Sequence, residues 1–282
     1  MIDYNEADES CIGVAVVAGN HKFMIEKYED AKTVARKAAY DEFGATDTNT
    51  KYSFFYWGGY KTDQTALTNY TSADGTNNYG YLGGTDTPQL SKDFTTWTTG
   101  ALSDFDGKKN SEVIKTVTTN GAKVYAPMGI YLNKFNAEPS ENLGKSDWYI
   151  PSCGQLALMY LAWTDINAAF AKIGGTELAA SRYWSSSEYD STRAWFMYFT
   201  YDFVDNADKV GAGGYYRVRL IRDIEIQGVK QRILDLETKS EELENQLSNV
   251  YTKSEVDAKI LELQTLINNY INGTSQVPEL DS

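Results

Sequence analysis

One histidine and two cysteines are all that 282 residues offer as imidazole and thiol chemistry. Cys11 and Cys153 share no ligand spacing, and zinc sites of the common kinds need more ligands than these. His21 lies in a Gly-Asn-His-Lys turn between two strand-like runs. A surface turn is its expected place, and with no second imidazole no Ser-His-Asp set is credible. The glycine pairs lack the Lys-Ser/Thr partner and the strand–helix context of a phosphate loop. Carboxylates are too plentiful for any one pair to stand out. No metal, no cofactor and no enzymatic activity are therefore expected. The thiols are expected to be buried and inert, a Cys11–Cys153 disulfide being the alternative.

Positive charge is scarce too. Lys and Arg number 26 against 39 Asp and Glu, a net charge of −13 with a pI near 4.6. Such a surface argues against non-specific binding to nucleic acid or to an anionic membrane. No apolar run approaches the roughly 18 residues of a membrane-spanning helix. Cys11 to Gly19 is apolar but follows acidic residues, where a secretion signal carries a basic region. It reads as a buried first strand.

What is present is apolar bulk (42%, enough for a packed core) and 21 tyrosines. The most informative stretch runs from Asp147 to Arg222. Pro151 holds the incoming chain extended. Ser152 with Gln155 three residues on forms a capping box. The helix it starts carries Leu156, Met159, Tyr160 and Trp163 on one face. Residues 194–199 alternate at period 2: Trp195, Met197 and Phe199 share one face, Ala194, Phe196 and Tyr198 the other.

The series Trp148-Tyr149-Ile150-Pro151-Ser152, Gln155-Leu156, Tyr183-Trp184-Ser185-Ser186-Ser187-Glu188-Tyr189, Ala194-Trp195 and Arg217-Val218-Arg219 resembles the C-type-lectin-fold domains of gut bacteria and their phages. Some of these are retroelement-diversified variable proteins. Asp104 to Ser111 resembles that family's loop before its middle helix. The resemblance covers roughly residues 12–222. It implies an α+β, C-type-lectin-like fold that serves as a scaffold for binding, with outward residues of the last strands as the contact surface. If Trp195, Met197 and Phe199 point inward, Phe196 and Tyr198 point outward. Tyr189, Asp190, Thr192, Arg193, Tyr201, Phe203 and Asp205 are then the loop positions beside them. Contiguous exposed aromatics mark a contact site. The alternative is that Phe196 and Tyr198 pack under the long insertion or against another subunit. Formylglycine-generating enzymes share this fold broadly but need a reactive cysteine pair, which Cys11 and Cys153 do not resemble.

Read in order, residues 1–11 are an N-terminal extension and 12–223 the lectin-like domain. Residues 28–43 form an Ala-rich helix with Ala31, Val34, Ala35, Ala38 and Ala39 inward. A loop-rich insertion spans 44–110 and holds a strand over Tyr52–Trp57. Ser111 caps a short helix to about Thr119, and 122–135 reads as extended. Glu138-Pro139-Ser140 is a loop lacking the partner motif of calcium-dependent lectins. Asp205-Asn206-Ala207-Asp208 reads as a turn.

From residue 224 to 272 the pattern becomes a stalk. Ile226, Val229, Ile233, Leu236, Leu243, Leu247 and Val250 make a heptad seam, with Arg232 and Lys239 facing Glu237 and Glu244 across a parallel pair. At 1.5 Å per residue, 224–250 is about 40 Å long. The repeat breaks near 251–253, where Thr252 and Glu255 form a new capping box, and Ile260, Leu263 and Ile267 continue a second seam. Tyr251 to Asp257 resembles a linker of gut-phage fibre proteins, which are usually trimers; a dimer is the alternative. Residues 273–282 read as a flexible tail.

The expected protein is thus a homo-oligomeric phage fibre or virion appendage, located in the virion. The lack of a recognisable signal fits release by host lysis. Its head is expected to bind a host-surface glycan or protein. The alternative is a structural virion protein whose head meets other virion proteins.

Overall fold

The apolar stretch after Cys11 makes two antiparallel strands, β1 (Gly13–Ala18) and β2 (His21–Glu26). Gly19 turns the hairpin with φ +58°, a conformation that costs glycine little. Strand β2 also pairs with β8 (Ile221–Asp223), so the sheet is ordered β1-β2-β8 and joins the two ends of the domain. A second sheet is ordered β3-β6-β5-β4-β7. Its members are β3 (Gly80–Tyr81), β4 (Arg182–Glu188), β5 (Arg193–Tyr198), β6 (Phe203–Asp208) and β7 (Tyr216–Arg217). All its pairings are antiparallel except β4 with β7. The helices are α1 (Val34–Phe43), α2 (Gly107–Ile114), α3 (Met128–Ala137), α4 (Cys153–Leu161), α5 (Trp163–Lys172) and α6 (Lys253–Ile271). The fold is α+β.

This computed structural model describes residues 11–29, 34–43, 54–59, 64–119, 125–139, 146–210, 216–224, 237–243 and 252–272. It has two units, Met1–Ile224 and Glu225–Ser282. Ala31 and the seam positions Ile226, Val229, Ile233, Leu236, Leu247 and Val250 lie outside the described residues, as do most of 1–11 and all of 273–282.

Strand β5 sits between two cores. Trp195, Met197 and Phe199 pack with Val14, Phe23, Ile25, Leu156, Met159 and Phe170, the faces of β1, β2, α4 and α5. Ala194 and Phe196 pack on the opposite side with Trp184, Tyr216, Phe55, Tyr131 and Trp148. The long insertion covers both sides. Trp195 Nε1 donates to the Tyr70 carbonyl at 2.7 Å on one. On the other, Trp184 Nε1 donates to the Phe55 carbonyl and Trp57 Nε1 to the Ser185 carbonyl, each at 2.9 Å.

Local signals fare unevenly. The Ser152–Gln155 capping box forms, with Gln155 Oε1 accepting from the Ser152 N–H at 3.0 Å. The Thr252–Glu255 box also forms. Ser111 is not a cap: helix α2 starts four residues earlier after Asp106, and the Ser111 hydroxyl is buried, accepting from the Ile150 N–H at 2.8 Å. Residues 128–137 are helical, not extended, because Met128, Tyr131, Leu132 and Phe135 fall on a helical face that meets α1. In α1, Val34 is exposed, while Arg36 and Tyr40 turn inward beside Ala35 and Ala39. Phe55, Tyr56 and Trp57 are buried; among the described residues the segment bridges to Pro127 and its N–H groups also donate to the Tyr216 and Lys209 carbonyls, without forming a strand. Residues 205–208 belong to β6 and are not a turn. His21 is no bare turn residue, since its ring stacks on Phe105 at 3.7 Å.

A buried ionic network ties the elements together. Glu29 receives Arg217 Nη1 at 3.0 Å, Arg219 Nη1 at 3.3 Å and the Tyr183 hydroxyl at 3.0 Å. Arg219 Nη2 also donates to the carbonyls of Glu26 and Thr176 at 2.8 and 2.7 Å. Arg36 Nη2 donates to the Val218 carbonyl at 3.0 Å and approaches Glu26 at 3.8 Å. Glu26 accepts from the Leu220 N–H at 2.9 Å. Burial nonetheless raises the Glu26 carboxyl from 4.5 to about 7, against the pull of Arg36 and Arg219. A carboxyl whose folded value lies above its unfolded one adds stability at low pH. That contribution fades as pH rises through the folded value. Stability measured by denaturant titration should therefore fall between pH 4.5 and 7. Glu26→Gln should flatten that part of the profile; an unchanged slope would remove Glu26 as its source.

Candidate functional site

Cross-strand register assembles the site. Tyr216 of β7 pairs with Arg182 of β4, Arg182 with Tyr198 of β5, Tyr198 with Phe203 of β6, and Phe203 with Tyr81 of β3. These residues form one row across the second sheet, all on the same face. The next row on that face is Trp184, Phe196 and Asp205. Apart from Trp184, which lies buried beneath, these residues floor and wall a hollow of about 570 Å³, completed by Asp86, Tyr201, Asn206, Ala207 and Asp208. That size suits a small ligand or a protruding part of a larger one.

The floor is ordered by ring packing. Trp184 stacks on Tyr216 at 4.1 Å, and Phe196 meets Tyr216 edge-on at 4.8 Å. Tyr201 stands edge-on to Tyr198 at 4.8 Å, and Tyr81 lies 4.7 Å from Phe203. Tyr201 is held at a corner by a 3-10 turn, Phe199–Tyr201, followed by Asp202 in the left-handed region with φ +56°. The Asp202 carboxylate accepts from the Tyr160 hydroxyl, which anchors the corner to α4. Tyr201 is 60% exposed. The Arg182 guanidinium lies 4.6 Å over the Tyr198 ring.

Three carboxylates face one guanidinium in this hollow. Burial raises the Asp205 carboxyl, while the Asn206 N–H and Arg193 pull it down. Burial also pushes the Tyr216 hydroxyl up to about 12, with Asp205 and Asp208 adding to the effect and Arg182 opposing it. The arrangement offers ring faces, strong acceptors and one forked donor. It contains no nucleophile paired with a base.

The expected site residues divide into two places. Phe196, Tyr198, Tyr201, Phe203 and Asp205 meet in the hollow. Phe196 is not an exposed contact: it is 5% accessible and belongs to the floor, because residues 54–57 cover that side of β5. Tyr189, Asp190, Thr192 and Arg193 sit at the far end of the β4–β5 hairpin, about 17 Å along the strand from Tyr198 at 3.4 Å per residue. Tyr189 is buried against Trp195 at 5.5 Å. Asp190 closes the turn, accepting from the Thr192 and Arg193 N–H groups at 2.7 and 2.8 Å. Burial raises its carboxyl, but bonds from Thr192 and Arg193 outweigh that and hold it at about 2. This end is a structural turn.

Arg182, Tyr81, Tyr216, Asp86 and Asp208 were missed. The signal for Arg182 was present: it lies two residues before Trp184 and shares its face. Tyr81 and Asp86 reach the hollow through long-range pairing that no local pattern carries.

Elsewhere the reactive groups are spoken for. Burial raises the Cys153 thiol, and Asp104 adds to the rise. Asp104 itself is a hub, accepting from the Ser187 hydroxyl at 2.6 Å and Asn110 Nδ2 at 2.9 Å. Both cysteines are free. Among the described residues, no cluster of His, Cys, Asp or Glu is placed to hold a metal ion, and no helix is long and apolar enough to cross a membrane.

No family model matches the chain, and no curated protein matches it. Among solved structures, a fimbrial protein from Bacteroides ovatus aligns with 61% of this chain at 20% identity and a TM-score of 0.33. The chain spans 34% of that protein's length. A likeness of that size does not establish a common fold.

The buried thiol gives a direct check on cysteine chemistry. In native protein at pH 8 an aromatic disulfide reagent should leave Cys153 unlabelled, and labelling should follow denaturant unfolding. Rapid native labelling of Cys153 would contradict a buried, inert thiol.

Proposed function

We propose that this chain is a stalked, non-enzymatic binding protein. Its C-type-lectin-like head takes a host-surface glycan or protein in the aromatic hollow, as part of a phage fibre or virion appendage. The observation that carries this reading is the cross-strand row. Tyr81, Tyr198, Tyr201 and Phe203, which are only partly covered, line a hollow floored by the core residues Phe196 and Tyr216, with polar groups converging on it. Tyrosine suits such a place because it is rigid and amphipathic.

The stalk half of the proposal rests on α6. Val256, Ile260, Leu263, Ile267 and Tyr270 follow a 4-3-4-3 spacing and are 44–67% exposed. Leu243, an expected seam position in the preceding helical stretch, is 58% exposed. A helix presenting such a stripe gains by pairing with copies of itself. We take the assembly as a parallel trimer, with a dimer as the alternative. Several heads on one stalk turn weak sites into strong attachment by raising effective concentration.

Two experiments test these halves separately. Intact gut-bacterial cells should retain the parent protein and release a Tyr198→Ala/Tyr201→Ala variant of unchanged melting temperature. Equal retention would place the contact elsewhere, and no retention by either would favour a head that meets other virion proteins. Sedimentation of Leu263→Lys should show a shift from oligomer toward monomer, with the head still folded. An unshifted oligomer would remove α6 from the interface.

A further inference from the structure

We infer that residues 1–10 of this chain dock along the open edge of β1 as a further strand of the first sheet, with Ile2 and Tyr4 in the apolar groove between β1 and α5.

Backbone direction is the first argument. The Ile12 carbonyl accepts from the Lys27 N–H at 3.1 Å, and the register continues through Val14 with Ile25 and Val16 with Phe23. Bonded positions alternate along an antiparallel pair, so Val14, Val16 and Ala18 also turn their N–H and C=O groups toward β2. Gly13, Ala15 and Val17 turn theirs the other way, and among the described residues no strand pairs there. The far side of the sheet is closed, because Tyr149 and Ile221 exchange backbone bonds at 2.7 and 2.9 Å. An open edge is a template for any passing strand, and proteins blunt one with charge, proline or a cover. Strand β1 reads Gly-Val-Ala-Val-Val-Ala, without charge or proline, and Val17 is 65% exposed. A cover is the device that remains.

The space beside the edge is the second. A groove of about 570 Å³ adjoins the first half of β1, with Ile12, Val14 and Met24 on the sheet side and Ala168, Ala169 and Ile173 on α5. The alanines leave room for larger side chains from an occupant. The lining carries one charge of each sign, Asp165 and Lys172. The groove therefore selects by backbone pairing and apolar fit, and an acidic segment is not turned away.

The third argument names the occupant. Residues 1–10 lead into Cys11, which itself lines the groove. Ile2-Asp3-Tyr4-Asn5 alternates apolar and polar, the period of a half-buried strand. Asp8 and Ser10 suit the turn that reverses the chain before Ile12. A turn over 7–10 lays residues 2–6 beside 11–15, a run of about 17 Å at about 3.4 Å per residue. Tethered at Cys11, the segment meets the edge at an effective concentration that a free partner does not reach.

The test is residue-resolved hydrogen–deuterium exchange on the full chain. The Ala15 and Val17 amides, which face the open edge, should exchange slowly in the parent. In Ile2→Asp/Tyr4→Asp they should exchange about tenfold faster or more, while Val14 and Val16, bonded to β2, keep their rates. Fast exchange at Ala15 and Val17 in the parent overturns the inference without recourse to a variant. Slow exchange that survives the double substitution also overturns it, and assigns the cover to a second copy or another partner. Carbodiimide links from Lys172 to carboxylates of residues 1–10, formed in oligomers assembled from light and heavy copies, should join one isotope only; mixed links give the edge to a neighbouring copy and overturn the inference.

Discussion

Everything in the head hangs on charges that have been taken out of water. Arg36 and Arg219 have no accessible surface, and Glu26 and Glu29 have almost none. Removing such groups from water costs several kcal/mol each unless their partners are well placed. Here the partners come from β2, α1, α3, β4, β7 and the 176 carbonyl, so the network forms only when these elements arrive together. Its two arginines at 217 and 219 sit just before β8, the strand that joins the end of the domain to its beginning. The network therefore sets the closure of the first sheet and the height of β7 in the second.

The second sheet repeats the device at its other end. Glu188 and Lys209, both fully buried, pair beneath Trp57, whose ring centroid lies 4.6 Å from the Lys209 ammonium. This pair links the end of β4 to the residue after β6. Between the two ionic anchors, β5 is packed on both faces, and its ends at Arg193 and Tyr198 are partly exposed. The long insertion covers the rest of the sheet and contributes Tyr81 and Asp86 to the edge of the hollow.

Sequence alone was most legible where signals are local. The capping boxes at Ser152 and Thr252, the alternation of 194–199 and the β1–β2 hairpin all depend on neighbours in the chain. It was least legible where distant residues decide. Phe196 was expected outward because its strand partners Trp195 and Met197 point inward; that inference holds only for a sheet with one wet face, and here residues 54–57 dry the other. Ser111 has the chemistry of a cap but serves as a buried acceptor, because Asp106 starts the helix a turn earlier. Arg36 and Arg219 are polar by composition, and nothing in their local pattern says they are core.

The alternation along β5 and β6 has a consequence for how this protein tolerates change. Met197, Phe199 and Val204 are buried in the core, while Tyr198, Phe203 and Asp205 on the opposite face are only partly exposed. Substitutions at the second set change the lining of the hollow and disturb the core less than substitutions at the first. Along the same two strands, residue by residue, one side chain is sealed in the core and the next reaches the surface of the hollow.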